Sequence, residues 1–468
     1  MRWTEQTLPV RMQRVAVVAP YDNLRETLIR VAESGCVQID LIDDPAHITP
    51  GPAARHLGAV QAAHVTPVLA ETPPDLDTLE HDHRIDLLTG EREMEERMDS
   101  AVRRAQVAAL AGWCPRDRLA AAGDRLAACG GSLVALPLPP GSEPPTLLRA
   151  AGSLRGSFAP LIRVYGTVPY RNLDLTLLAG LVYVVLFGLM FGDVGYGGLL
   201  VLGAFFLRRG KPGPLARWRN LWPFVTAAGV AGILAGAAYG EFFGPTGVLP
   251  VLWLDPLQEP MRLLLSALGL GGVLLVLSYA AGAVNRWREG GGTTALYALS
   301  GIAGAVLFSG LVCVGVGLAL GRTSWWVLGG SAATAGLVLA GTGLYALTPG
   351  GVPGVLQAGI QLVDGVIRIG ANVFSFARVA AFGLTHAALA AVVWQGTRAL
   401  AAHGAPGIVA AVALFVVGTA VTFALEALVA GVQALRLEFY ELFSRVFEGQ
   451  GHPFEPWHPP VQHKEAPP

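Results

Sequence analysis

Charge is scarce in this sequence. Only 14% of its 468 residues are Asp, Glu, Lys or Arg, against about 25% in an ordinary soluble domain. Hydrophobic residues make up 53% and the mean hydropathy is +0.50. That balance excludes a water-soluble globule along the whole length and marks a membrane protein. A net charge of −1 leaves no excess of basic groups for a polyanion, which argues against a nucleic-acid partner. No GxxxxGK[ST] phosphate loop is present, so a P-loop nucleotide site is excluded. Cys36, Cys114, Cys129 and Cys313 lack metal-ligand spacing and read as ordinary buried thiols. Neither a metal nor a cofactor is expected. Met1–Pro20 has no long apolar core of the secretory kind, so the head is expected to stay in the cytoplasm.

The scarce charges are unevenly spread. Acids and bases are frequent from Met1 to about Arg171, and apolar stretches dominate from about Leu173. The expected organisation is a soluble α+β head (1–171), a first membrane bundle of about six helices (172–347), a domain of two long helices (348–450) and a cytoplasmic tail (451–468). In the head, Arg14–Pro20 and Cys36–Ile42 read as strands flanking an amphipathic helix over Tyr21–Gly35. A strand near Val107–Cys114, a helix near Arg116–Cys129 and a strand near Ser132–Leu138 repeat the pattern. Between them Leu76–Gln106 is charge-rich and helical, with too few apolar positions for a long coiled coil. The head is thus expected as two small α/β lobes joined by a short helical section. It contains no nucleophile–base pair, so a scaffold is expected and not an enzyme.

The rest reads as an all-α polytopic membrane domain. A span needs roughly 20 apolar residues, and about eight stretches qualify: Leu175–Gly192, Val194–Leu207, Leu221–Tyr239, Met261–Val284, Ala295–Leu320, Trp325–Leu347, Asn372–Ala402 and Ile408–Phe443. Only Gly192-Asp193 separates the first two, so they form either two spans or a reentrant pair. Arg208-Arg209 to Arg219 and Arg286–Arg288 are basic, whereas Glu241–Pro260 has acids and no Lys or Arg. With the head inside, this bias fits the positive-inside rule, and an even number of spans returns the C-terminus to the cytoplasm.

A few polar residues interrupt the spans. Arg378 lies inside Asn372–Leu389 with apolar residues on both sides. Arginine stays protonated, and at a helix centre it costs at least about 2.5–3.5 kcal/mol on insertion scales. It therefore faces protein, a water cavity or a carboxylate, unless it snorkels to headgroups. Glu426 and Arg436 share the last stretch, and ten residues separate them by about 15 Å along a helix. They cannot pair directly. Gln433 lies between them on nearly the same face, giving a polar stripe that suits either the wall of an aqueous half-channel or a hydrogen-bonded helix contact. His386 is one position beyond the face of Ser375, Arg378, Phe382 and Thr385; it borders the same cavity or packs as a satisfied core histidine. Asp193, Glu241 and Asn285 fall at span ends and read as caps or interfacial groups.

Several blocks, in order, resemble the membrane subunit a of V-type and A-type rotary ATPases (bacterial subunit I). Gly112-Trp113-Cys114-Pro115 is similar to that family's Gly-Trp-x-Pro. Pro145-Thr146 and Tyr165–Tyr170 match its approach to the membrane. Leu186–Gly197 (LFGLMFGDVGYG) is close to FGxMFGDxGxG, and Tyr239–Gly244 (YGEFFG) to YGxFFG. Ser375–Ala387 (SFARVAAFGLTHA) resembles SYxRLxALxLAH, and Glu426–Gly449 its terminal helix. The resemblance spans Gly112–Trp457. Phe376 and Val379 replace its Tyr and Leu, Arg171-Asn172 stands where an acidic pair is usual, and the head is shorter.

The resemblance implies a stator membrane subunit that forms two ion half-channels and presents an arginine to a rotating proteolipid c-type ring. Arg378 would be the stator arginine, Arg436 a second arginine facing the ring, and Glu426 and His386 ion-path residues, with Gln433 and Ser375 beside them. The implied partners are the ring, peripheral-stalk and central-stalk cap subunits, the lipid membrane and, indirectly, a soluble ATPase motor. The implied setting is a prokaryotic plasma membrane. The competing classes are a stand-alone secondary ion transporter with a regulatory head, which would show an inverted repeat, and a non-conducting assembly scaffold.

Overall fold

A computed structural model describes residues 9–41, 51–59, 65–139, 142–148, 156–160, 166–209, 214–446 and 451–462. The chain divides into a head unit (Pro9–Arg149 with Gly451–Pro468) and a membrane unit (Met1–Leu8 with Ala150–Gln450).

Alternate burial along RVAVVA makes β1 (Met12–Pro20) the central strand of the head, with Val15 and Val17 wholly buried. Helix α1 (Leu24–Ser34) follows a 3₁₀ turn and stops at Gly35, whose φ of 55° is the left-handed cap that glycine adopts readily. Then come β2 (Gln38–Ile39), α2 (Pro52–Ala59), β3 (Leu69–Ala70), α3 (Leu76–His81), α4 (Ile85–Asp99), β4 (Val102–Arg104), β5 (Val107–Pro115), α5 (Leu119–Ala127), β6 (Ser132–Ala135) and, near the C-terminus, β7 (Val461–Gln462). The strand expected over Cys36–Ile42 is confined to Gln38–Ile39, and Ile42 lies outside the described residues. The helical reading of Leu76–Gln106 is broken at His83 (φ 51°) and ends in β4.

The two expected lobes are corrected to one. The sheet order is β2-β5-β1-β6, with β4 also on β5. Nine residue pairs join β1 to β5 antiparallel, from Met12 opposite Pro115 to Pro20 opposite Val107. Two or three short strands are marginal alone, and interleaving the repeats gives both helices a common sheet to cover. The C-terminal segment completes this core. Trp457 is buried, its indole N–H donates to Glu93 Oε2 at 2.8 Å, and the Arg97 guanidinium lies 4.3 Å above its ring. Strand β7 pairs in parallel with β3. The head's three cysteines are free and buried.

The membrane unit runs α6 (Thr176–Met190), α7 (Val194–Arg209), α8 (Trp222–Tyr239), α9 (Pro260–Tyr297), α10 (Ile302–Ala319), α11 (Thr323–Ala346), α12 (Gly351–Ser375), α13 (Ala377–Ala401) and α14 (Gly404–Leu437). Among the described residues six helical stretches are long and apolar enough to cross a membrane. The expected eight is thus met in part. Helices α6 and α7 have 15 and 16 residues, short of a full span. The first long segment is also corrected. Its helix starts at Ala377 after a turn at Phe376, and α12 precedes it as an amphipathic helix. Phe376 is fully buried against Gly271, where a Cβ would lie 2.2 Å from its ring. That close approach fixes the turn one residue after Ser375.

The last helix ends in a π-helical turn, Glu438–Phe443. Helix α9 holds that turn: Ser278 Oγ donates to Leu442 O at 2.6 Å and Asn285 Nδ2 to Val446 O at 3.1 Å. Asn285 also accepts from Leu173 N at 3.1 Å, so it clips two segments together.

Trp457→Ala should destabilise the head by about 3–5 kcal/mol. Hydrogen exchange of the β1 amides in the full chain should accelerate in that variant; unchanged protection would mean that the C-terminal segment is dispensable to the core.

Candidate ion path

Three segments meet at His386. The histidine lies on α13 and is 2% exposed. Its Nε2 is 3.1 Å from Glu241 Oε2, and its Nδ1 is in contact with Glu426 Oε2 on α14. The reading of Glu241 as a cap or interfacial acid is corrected: it is 3% exposed and faces His386. The signal available was an acid set between aromatic and glycine residues in YGEFFG.

The loop that carries Glu241 is held by Asp193. That side chain accepts hydrogen bonds from Tyr196 N (2.9 Å), Phe243 N (3.0 Å) and Gly244 N (2.7 Å). The first is a helix N-cap for α7, so the capping role expected of Asp193 is present. Gly195 lets the Phe243 ring sit where its Cβ would be, 2.5 Å away. Aromatic rings close the site: Tyr196 lies edge-on to the His386 ring at 5.6 Å, with Phe191 at 6.2 Å. Asp193, Glu241 and His386 present donor atoms within 4.8 Å of one another. Asp193 is committed to three backbone N–H groups and His386 faces two carboxylates, while Glu241 Oε2 and His386 Nε2 keep no hydrogen-bond partner among the described residues.

Helices α13 and α14 are antiparallel. Val393 abuts Gly418, Leu414 abuts Gly396, and His386 meets Glu426. The same register puts Arg378 level with Gln433. Both carry a buried polar atom, Arg378 Nη1 and Gln433 Oε1, without a hydrogen-bond partner among the described residues. No carboxylate is in ion-pair contact with Arg378 among them. The acid acting on it is Glu441, which lies against Ser375 and within electrostatic reach of Arg378 and Arg436. Arg436 is exposed. Arg378 and His386 are eight residues apart, about 12 Å along α13, so the candidate residues form two polar stations: His386 with Glu426, and Ser375, Arg378, Gln433 and Arg436. Beyond the second station lies a polar cavity of about 540 Å³ lined by Gln361, Asp364, Arg368 and Asn372 of α12, with Tyr440 and Ser444. Spacings of three, four and four put those α12 residues on one face.

Residues 356–458, which carry both stations except Glu241 and Asp193, match the family model described as the V-type ATPase 116kDa subunit family. The match takes in most of α12 and all of α13 and α14. Similar curated proteins are the A-type ATP synthase subunit I of Thermococcus kodakarensis, 28% identical over 330 residues (67% of this chain, 48% of the relative), and that of Halobacterium salinarum, 28% identical over 398 residues (67% and 51%). That of Archaeoglobus fulgidus is 26% identical over 363 residues (67% and 53%). The chain spans about half the length of these relatives. These similarities agree with the run of long apolar helices.

Removing His386 would leave two buried carboxylates facing each other. His386→Leu should therefore cost about 3–5 kcal/mol, read as a lower thermal transition of the purified protein. Much of that loss should return in the triple variant His386→Leu, Glu241→Gln, Glu426→Gln. Equal loss in both variants would show that packing and not charge sets the effect.

Proposed function

We propose that the chain is the stator membrane subunit of a V/A-type rotary ATPase, in which α13 and α14 carry ions past a rotating ring of proteolipid subunits. The observation that carries this reading is Arg378. It is a permanent cation in a membrane unit, set on a polar stripe, with no carboxylate in ion-pair contact among the described residues. The expense of placing it there implies a partner on another chain, and a ring carboxylate is such a partner.

In this reading a ring carboxylate is neutral while it faces lipid. On reaching Arg378 the fixed positive charge favours the ionised form, and the ion leaves into one half-channel. Further rotation exposes the carboxylate to the other half-channel, where it reloads. The His386–Glu241–Glu426 group and the cavity along α12 are candidates for the two half-channels. They lie on opposite sides of Arg378 along α13, so the arginine separates them and prevents a straight leak. Arginine suits that position because it does not surrender its proton. A membrane potential supplies about 2.3 kcal/mol per charge per 100 mV, which couples the ion flow to the soluble motor, in synthesis or hydrolysis.

The segments that precede and follow the membrane unit, Pro9–Arg149 and Gly451–Pro468, belong to one head unit, which supports a reading with both on the same side of the membrane. The basic Arg208–Arg219 and Arg286–Arg288 segments make the head's side the cytoplasm of a prokaryotic plasma membrane. There the head would dock the peripheral stalk and the cap of the central stalk.

In inverted vesicles with matched subunit levels, Arg378→Gln should abolish ATP-driven ion uptake while the complex remains assembled. Uptake at the wild-type rate would contradict the assignment.

A further inference from the structure

The group around His386 holds more acid than base. Asp193, Glu241 and Glu426 bring three carboxyls to one imidazole, and Asp193, Glu241 and His386 are each at most 3% exposed. Among the described residues no Lys or Arg forms an ion pair with any of these acids. Asp193 has three backbone N–H donors to offset its charge. Glu241 and Glu426 share only the imidazole, which brings at most one positive charge. Buried carboxylates with so little compensation are costly.

The geometry suits a cation. Glu241 Oε2 and His386 Nε2 lie 3.1 Å apart, yet each is buried without a hydrogen-bond partner among the described residues. Two ligands on one tetrahedral Zn²⁺, with bonds of about 2.0–2.2 Å, are about 3.4 Å apart. The observed spacing is within a few tenths of an ångström of that. An oxygen of Asp193 completes a set whose three donor atoms lie within 4.8 Å of one another. Asp193 Oδ2 accepts one N–H, from Gly244, and an ionised carboxylate oxygen has capacity for a second partner. On the far side of the ring, His386 Nδ1 contacts Glu426 Oε2. A carboxylate there holds the ring proton on Nδ1 and leaves the Nε2 lone pair facing Glu241, the arrangement by which a carboxylate orients a metal-bound histidine.

The donor set also selects the metal. Imidazole nitrogen with two carboxylates suits zinc and its first-row neighbours, whereas Mg²⁺ and Ca²⁺ take six or more oxygens. The three ligands come from the link between α6 and α7, the loop after α8 and α13, so no local spacing discloses them. We propose that Asp193, Glu241 and His386 form a binding site for a zinc-class divalent cation, with Glu426 orienting the imidazole. The bound cation ties three segments of the membrane unit together. The site stands on this geometry and not on the rotary reading.

The test uses the purified full chain, stripped with a chelator and titrated with Zn²⁺ alone. Metal content is measured after desalting, and the neighbours of the zinc by X-ray absorption. Wild type should retain one Zn²⁺ per chain, with imidazole nitrogen and carboxylate oxygens around it. Its thermal transition should rise with Zn²⁺ concentration, as for any ligand that binds only the folded state. Glu241→Gln should retain no Zn²⁺ and show no rise, and Glu426→Gln should bind about 10–100-fold more weakly. Arg378→Gln should bind Zn²⁺ as wild type does, whatever its effect on ion uptake. No Zn²⁺ on wild type, equal retention by wild type and Glu241→Gln, or sulfur neighbours at about 2.3 Å would each overturn the site. If Glu241→Gln does not fold, the neighbours seen in wild type decide: a shell without imidazole nitrogen overturns the proposal.

Discussion

His386 is held between two acids on two other segments, and much of the membrane unit is arranged so that this contact can exist. A lone charge in a water-poor interior is costly, whereas a group that is paired and hydrogen-bonded is tolerated. Glu241 reaches the histidine only because Asp193 ties the loop after α8 through three backbone N–H groups. Asp193 in turn is brought there by close helix packing: an added Cβ at Gly236 would lie 2.4 Å from Val194 N. In lipid, where burial of area no longer draws helices together, such small-residue contacts and polar links do that work. The electrostatic clamp and the glycine-rich packing are therefore one design, running from α7 through α8 and α13 to α14.

Buried polar atoms without a hydrogen-bond partner among the described residues occur in the clamp, at Glu241 Oε2, His386 Nε2 and Glu426 Oε1, and along the same helices at Arg378, Gln433 and Glu438. The end of the last helix is gripped from α9, where Ser278 holds a carbonyl of the π-helical turn and Asn285 holds Val446 just beyond it.

Local pattern carried a large share of this account. Strand β1, helix α1 and the second strand–helix–strand repeat follow from apolar periodicity and the Gly35 cap, and the anomaly of Arg378 is visible as an arginine in an apolar run. What pattern could not carry is pairing at long range. Nothing local says that β5 lies beside β1 and not in a lobe of its own. Trp457, more than 300 residues from the Glu93 that it meets, is likewise silent in sequence. Helix α12 was missed as an element because its two faces average out: Gln361, Asp364, Arg368 and Asn372 on one side offset Val355, Ile360, Val363 and Ile367 on the other. Glu241 was read as a cap because an acid at the end of a span usually is one; only the fold of its loop turns it inward.

The most direct measurement is a structure of this chain assembled with its ring in several rotational states. The account predicts a ring carboxylate within ion-pair distance of the Arg378 guanidinium in at least one state, with α13 and α14 along the ring. An Arg378 that stays remote from every ring carboxylate, or is paired to an acid of its own chain in all states, would contradict it.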